Sequence, residues 1–305
     1  PFYTTLFEDT DVLLLRENHR QSDKEYMDAL NAVRRGVMSP EHVEFFKSLM
    51  PPGKPDPEIV RMFAVNREVD EYNREQLARH VGAGTANELP RLTVVAEYSD
   101  LRPPKIRSRY PVYQSAIDRA LAAAPLMHNE AIAAGCRLLV TYNVAKDIPY
   151  SVKTSDNYDA FSSDCMLAVN GDAGVLEKLP DVDDEYLRVR LDRTGKVVKL
   201  PQVTIQTKNP YNQPECSITG FPVTLGYAVS IHKSQGMTLQ KADLNVGSIL
   251  CHPLESRHGL AYVGLSRTVR PAGLYVRDWS DDAVHVDEEV KQFLEDRVYG
   301  NNTAT

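Results

Sequence analysis

Four short stretches of this chain gather arginine, asparagine, histidine, lysine and serine where a strand or helix is expected to give way to a loop. They are "ENHRQSD" (Glu17–Asp23), "FAVNREVD" (Phe63–Asp70), "IHKSQGMTL" (Ile231–Leu239) and "YVGLSR" (Tyr262–Arg267). Polar side chains presented by a rigid scaffold at such points suit binding and catalysis. In the third stretch His232, Lys233, Ser234, Gln235 and Gly236 follow an apolar run. Donors and a glycine at the expected end of a helix offer side chains and backbone N–H groups together, which fits a phosphodiester. A solvated helix end with a glycine cap is the alternative reading. Arg20 stands between a strand and a capped helix, where it either reaches a phosphate at the sheet edge or pairs with Glu17 or Asp23. Asn66 is a phosphate contact or a helix N-cap. Arg267, closing an apolar helix, either compensates the helix dipole or is held to stabilise charge on a transferred γ-phosphoryl group.

The elements that must position these residues are legible from periodicity. A buried strand is expected at Val12–Leu15. A helix follows, with Ser22 and Glu25 at capping-box spacing, Tyr26, Leu30 and Val33 on one face and Gly36 as its stop. Ser39-Pro40 starts a second helix. Ile59–Val65 is expected to be extended, with Asn66 capping a third helix. Strand and helix in alternation point to an α/β layered domain with a mainly parallel sheet. From Gly82 to Leu126 the chain reads as irregular, apart from a helix at Gln114–Ala124. Short β segments with Asn170-Gly171 and Thr194-Gly195 turns then fill 135–205 and suit a small barrel. The α/β texture resumes with a helix through Leu225, Ala228, Val229 and His232, a strand at Ala242–Val246, a helix at Leu260–Leu265, a strand at Leu274–Val276 and a closing helix at Val286–Val298.

Composition narrows the class. The chain has 305 residues, 42% of them hydrophobic and 25% charged, the balance of a globular protein. Its net charge of −7 means that any nucleic-acid binding must come from a local basic surface. One such stretch is "LRPPKIRSRYPVYQ", where Arg102, Lys105, Arg107 and Arg109 stand near Tyr110 and Tyr113. It suits strand binding by charge and stacking, or serves as a solvated connector. Cys136, Cys165, Cys216 and Cys251 form no C-x-x-C pair, which argues against zinc and for reduced thiols in an intracellular setting. No apolar run approaches the ~20 residues that span a bilayer, so no membrane partner is expected.

Taken together, "RENHRQSDKEYMDALNAVRRG", "RMFAVNREVDEYNREQL", "GCRLLVTYNV", "MLAVNGDAGVL", "LGYAVSIHKSQGMTL" and "GLAYVGLSRTVRPAGLYV" resemble, in order and spacing, the C-terminal half of the Pif/RecD-like superfamily 1B DNA helicases. The resemblance covers most of 11–277 and is thinnest over 82–130. It implies a second RecA-like domain, of the P-loop NTPase type, in two parts (1–134, with 82–130 as a connector, and 206–305). A Src-homology-3-like barrel is inserted between them at 135–205. It further implies that Arg20 and Arg267 face the ATP γ-phosphate, that Gln21 and Gly236 line the nucleotide, and that Asn66, His232, Lys233, Ser234, Gln235 and Thr238 hold single-stranded DNA. Members move 5′→3′ and unwind duplex or structured DNA at the expense of ATP, in the nucleus or mitochondrion where eukaryotic. Three positions depart from the family's habit: His19 for an aromatic residue, Val65 for threonine and Gly264 for alanine.

A motor of this kind needs a G-x-x-x-x-G-K-[ST] loop and an acidic pair for Mg²⁺, and neither is found in these residues. The resemblance puts both in an N-terminal RecA-like domain preceding Pro1, in cis or, less readily, in trans. The first residue not being Met fits an excerpt or a processed product. This chain alone is therefore not expected to hydrolyse ATP. The rival expectation is a non-catalytic, helicase-derived module that binds nucleic acid or protein.

Overall fold

The computed structural model describes residues 19–85, 87–145, 166–181, 185–209 and 211–294. The strand expected at Val12–Leu15, Glu17, Cys165 and the end of the closing helix lie outside them. Two compact units emerge, one holding the residues up to Val69 and from Val229 onward, the other Asp70–Ala228.

The first unit begins with helix α1 (Lys24–Arg35), whose buried stripe is Tyr26, Ala29, Leu30, Ala32 and Val33. Its cap is Asp23, which accepts from the Tyr26 N–H at 2.9 Å, rather than the expected Ser22. The two candidate caps are adjacent, and Asp23 is the one whose carboxylate reaches the third helical N–H. Gly36 ends α1 at φ +67°, and Val286 Cγ2 lies 2.6 Å from where a Cβ would sit, so both conformation and space require glycine. Helix α2 (Pro40–Ser48) starts at Ser39-Pro40 as expected, with a capping box closed by His42. Strand β1 (Val60–Phe63) leads into helix α3 (Asn66–Val81). The Val69 N–H already donates to Val65 O, so Asn66 is the first residue inside the helix instead of its cap, and its side chain is exposed.

In the second unit, residues expected to be irregular form β2 (Arg91–Val94), β3 (Glu97–Asp100) and helix α4 (Pro104–Arg109), and the helix expected at Gln114–Ala124 is α5 (Gln114–Ala123). Strands β4 (Glu130–Ala133), β5 (Arg137–Val140), β6 (Val144–Ala145), β7 (Met166–Ala168), β8 (Ala173–Lys178), β9 (Tyr186–Leu191), β10 (Val197–Pro201), β11 (Val203–Lys208), β12 (Pro214–Gly220) and β13 (Val223–Leu225) follow. β10-β9-β8-β5-β13 is an antiparallel five-stranded sheet. Four of its strands come from the expected barrel stretch 135–205 and the fifth from beyond it. Its core includes Leu138, Val140, Leu176, Leu187, Val189, Leu200 and Val223. The run "KVVKLPQVTI" within the expected barrel stretch divides at Pro201-Gln202, and β11 joins β12 and β3 in a separate three-stranded sheet. Ala96, Leu121, Leu126 and Ile218 form a small core of their own.

The first unit resumes after β14 (Ala228–Ser230) with β15 (Ala242–Asn245), α6 (Leu260–Leu265), β16 (Leu274–Arg277) and α7 (Glu288–Leu294). Its sheet runs β14-β1-β15-β16, with β15 parallel to both β1 and β16. The helix expected through Leu225 and His232 is instead two strands, β13 and β14. Ala228, Val229 and Ser230 are all buried, and a strand covered on both faces shows no alternation to set against a helical spacing. Gly226 marks the strand reading, because a Cβ there would lie 2.6 Å from the Leu138 carbonyl carbon.

Candidate nucleotide and nucleic-acid site

Beyond β14 the chain makes one tight turn, not a helix end. Ser234 N–H donates to Ser230 O (2.9 Å), Gln235 N–H to His232 O (3.2 Å) and Met237 N–H to Ser234 O (2.9 Å). Gly236 takes φ +87° with open space around it. The turn sorts its side chains. Ile231, Ser234, Met237 and Leu239 are buried, whereas His232, Lys233, Gln235, Gly236 and Thr238 are exposed. Ser234 is 0% exposed, and its hydroxyl donates to Ile231 O at 2.7 Å. The expected contact of Ser234 with a DNA strand is therefore replaced by a structural one: the hydroxyl closes the turn that holds the other five residues outward.

The turn starts where strand ends converge. Ile231 N–H donates to Phe63 O (2.8 Å) at the end of β1, and Ala64 N–H donates to Ser248 Oγ (2.8 Å), just past β15. His252 Nε2 lies 3.0 Å from Ala64 O, and its ring centroid is 6.3 Å from that of His232. His232, His252 and the residues leading to Asn66 thus share the carboxyl ends of the sheet, the usual ligand-binding edge of an open α/β fold. His252 and Ser248 were not singled out from sequence; a histidine soon after a strand end was the available signal.

The other end of the turn meets the peptide that carries Arg267. Leu239 N–H donates to Arg267 O (2.9 Å), and Leu239 bridges Thr268 in parallel. Arg267, only 7% exposed, follows α6 and donates from Nε to Val263 O (2.7 Å) and from Nη2 to Ser266 Oγ (2.7 Å). Its Nη1 faces Ser234 O (3.4 Å) and Met237 O (3.5 Å). All of these acceptors are neutral. Burial pushes the Arg267 guanidinium down to about 10, the Arg20 charge pushes the same way, and Tyr262 and Tyr26 oppose both. A buried cation surrounded by neutral acceptors beside a second cation favours an anion that supplies the missing charge.

Arg20 is held against the same segment, donating from Nη1 to Ser266 O (3.1 Å). Gln21, 4% exposed, donates from Nε2 to Ser266 O (3.0 Å) and Thr268 O (2.9 Å). The Tyr26 hydroxyl bonds Leu265 O and sits 2.9 Å from Thr268 Oγ1. Gln21 is thus engaged in tying α1 to the peptide that carries Arg267. Tyr26, read from sequence only as an apolar helix position, belongs to this clamp as well. For a metal the donor set is poor: among the described residues no three His, Cys, Asp or Glu side chains come together. The residues present fit the phosphate end of a nucleotide, not its Mg²⁺.

A parallel α/β sheet with two arginines near a donor-rich turn at its carboxyl ends suits the binding of a phosphate-bearing ligand. No family model matches the chain. It is 26% identical over 281 residues to the ATP-dependent DNA helicase Pif1 of Bdellovibrio bacteriovorus, covering 92% of this chain and 53% of that protein. Over a shorter segment of 73 residues it is 42% identical to the human ATP-dependent DNA helicase PIF1. The crystal structure of Pif1 helicase from Candida albicans matches 97% of this chain and 63% of its own, with TM-score 0.63 and 22% identity. In sequence and fold the chain is similar to the Pif1 helicases. It spans 40–53% of the length of the curated relatives that it matches over most of its own length.

Proposed function

We propose that this chain is the second motor half of an ATP-dependent DNA helicase that moves 5′→3′ on single-stranded DNA and unwinds duplex or structured DNA. Arg267 carries this reading, as a buried guanidinium whose acceptors are all neutral, set beside Arg20. ATP with Mg²⁺ is held mainly by an N-terminal RecA-like domain in cis. Arg20 and Arg267 reach its γ-phosphate, Gly236 lines the nucleotide and Gln21 holds the arginine-bearing peptide. Asn66, His232, Lys233, Gln235 and Thr238 grip the strand, and residues 135–205 form the inserted small barrel. A solved Pif1 relative from Bacteroides is described in complex with ADP-AlF3 and ssDNA, which supports both ligands for the fold (TM-score 0.54, 21% identity).

The residues also suggest how the two ligands are linked. Arg267 bonds the carbonyls of Ser234 and Met237, within the same turn that displays His232 and Lys233. When the guanidinium turns to a γ-phosphate it releases those carbonyls, and the turn changes its grip on the strand. Nucleotide and strand then bias one two-state element. Replacing Arg20 by alanine in the polypeptide that carries this chain tests the reading. Strand-stimulated ATP hydrolysis is expected to fall by at least ~100-fold; unchanged hydrolysis would remove Arg20 from the nucleotide.

A further inference from the structure

The stretch from Leu101 to Tyr113 is not used by the motor reading, yet it is strongly cationic. Between those residues stand Arg102, Lys105, Arg107 and Arg109 and no carboxylate, in a chain whose net charge is −7. Arg102 is committed to Asp100, through Nε–Oδ1 (3.0 Å) and Nη2–Oδ2 (2.7 Å), and its Nη2 also holds Tyr110 O. That clamp braces the segment and leaves Lys105, Arg107 and Arg109 to set its charge. Helix α4 has no buried residue at all, so the core of this chain does not account for it.

Aromatic side chains are interleaved with these cations. Tyr110 is 59% exposed and Tyr113 80%, with the Arg109 guanidinium 5.5 Å from the Tyr110 ring centre. The tip between β11 and β12 adds Tyr211, 84% exposed, and Lys208. Tip and segment share one end of the three-stranded sheet. β3 pairs antiparallel with β12, Asp100 opposite Cys216, and Leu101 N–H donates to Glu215 O (3.0 Å), one residue into the strand that leaves the tip. The tip is itself shaped by Asn209, whose Oδ1 accepts from the Tyr211 and Gln213 N–H groups (both 3.0 Å). These exposed rings stand among cations and not in an apolar patch, the combination that a stacking and charge-based strand contact uses.

We infer that Lys105, Arg107, Arg109, Tyr110 and Tyr113, with Tyr211 and Lys208 at the neighbouring hairpin tip, form a second contact for single-stranded nucleic acid, separate from the turn at 231–239. The cations take the phosphates and the tyrosine faces take unstacked bases. Duplex fits poorly, since its bases are already stacked and closed to the rings. The inference does not depend on the motor reading.

The test is an anisotropy titration of the 305-residue chain with a labelled oligothymidylate across a salt series. Lys105, Arg107 and Arg109 changed together to alanine should lower the slope of log affinity against log salt by about 2, from ~0.7 per phosphate released. Tyr113→Ala with Tyr211→Ala should weaken binding about tenfold or more with the slope kept. Unchanged affinity and slope in both variants would overturn the inference. So would equal losses for a duplex of matched sequence, or complete displacement of the strand by polyglutamate, which would mark an acidic protein partner. Photocrosslinking the unaltered chain to 5-iodouracil strands guards against misfolded variants: adducts on Tyr113 or Tyr211 support the contact. Adducts confined to His232–Thr238 would remove it and leave the motor reading standing.

Discussion

The Arg267 guanidinium lies 3.4 Å from the carbonyl oxygen of Ser234, thirty-three residues earlier in the chain. One residue belongs to the peptide that closes α6, the other to the turn that displays His232 and Lys233. A residue assigned to the nucleotide thus touches the backbone of the turn assigned to the strand. At 3.4 Å the contact is long for a hydrogen bond.

Ser234→Ala separates the two roles a serine has in this turn. The buried hydroxyl loses its bond to Ile231 O, so stability should fall by ~1 kcal/mol in urea denaturation, while strand affinity stays within about twofold. A large loss of affinity with unchanged stability would return Ser234 to the strand-binding set.

Tyr26 should govern part of the alkaline behaviour. Burial pushes its phenol up to about 12, against the lowering influence of the Thr268 bond and of Arg267 and Arg20. An unfolded chain gives up this proton near pH 10 and the native chain near 12, so the unfolded state is favoured progressively across that window. At about 1.4 kcal/mol per pH unit the loss is roughly 3 kcal/mol, and it is absent below pH 10. Tyr26→Phe should flatten the fall in stability between pH 10 and 12; an identical pH slope in the two proteins would contradict the assignment.

Gly264 stands where the resemblance leads one to expect alanine, and it has a close packing neighbour. A Cβ there would sit 2.8 Å from Leu244 Cδ1, within the buried core beneath α6. Gly264→Ala should cost ~1–2 kcal/mol, and Leu244→Val in the same chain should recover part of that, which a double-mutant cycle measures. Additive losses would mean that the two positions do not compete for space.

Much of the first unit was legible because its signals are local. Ser39-Pro40 starts α2, the helix expected around Leu260–Leu265 is α6, and Gly36 ends α1. Signals that depend on distant partners were not legible. β14 is buried on both faces and carries no period of its own, and β2 and β3 become strands only by pairing with β4 and β12. The site shows the same division. Residue types and order pointed to Arg20, Arg267 and the 231–239 turn. Which side chains face outward depends on what lies beneath them. The spacing Ile231, Ser234, Met237 did mark the buried stripe, but serine's chemistry drew it to the wrong side.

The most direct test of the account is Arg267→Ala in the polypeptide that carries this chain, with strand-stimulated ATP hydrolysis and oligothymidylate affinity measured on one preparation and folding checked by thermal melting. The account predicts a loss of about 10³-fold in hydrolysis with affinity kept within about threefold. Comparable loss of both, or hydrolysis that survives, would contradict it.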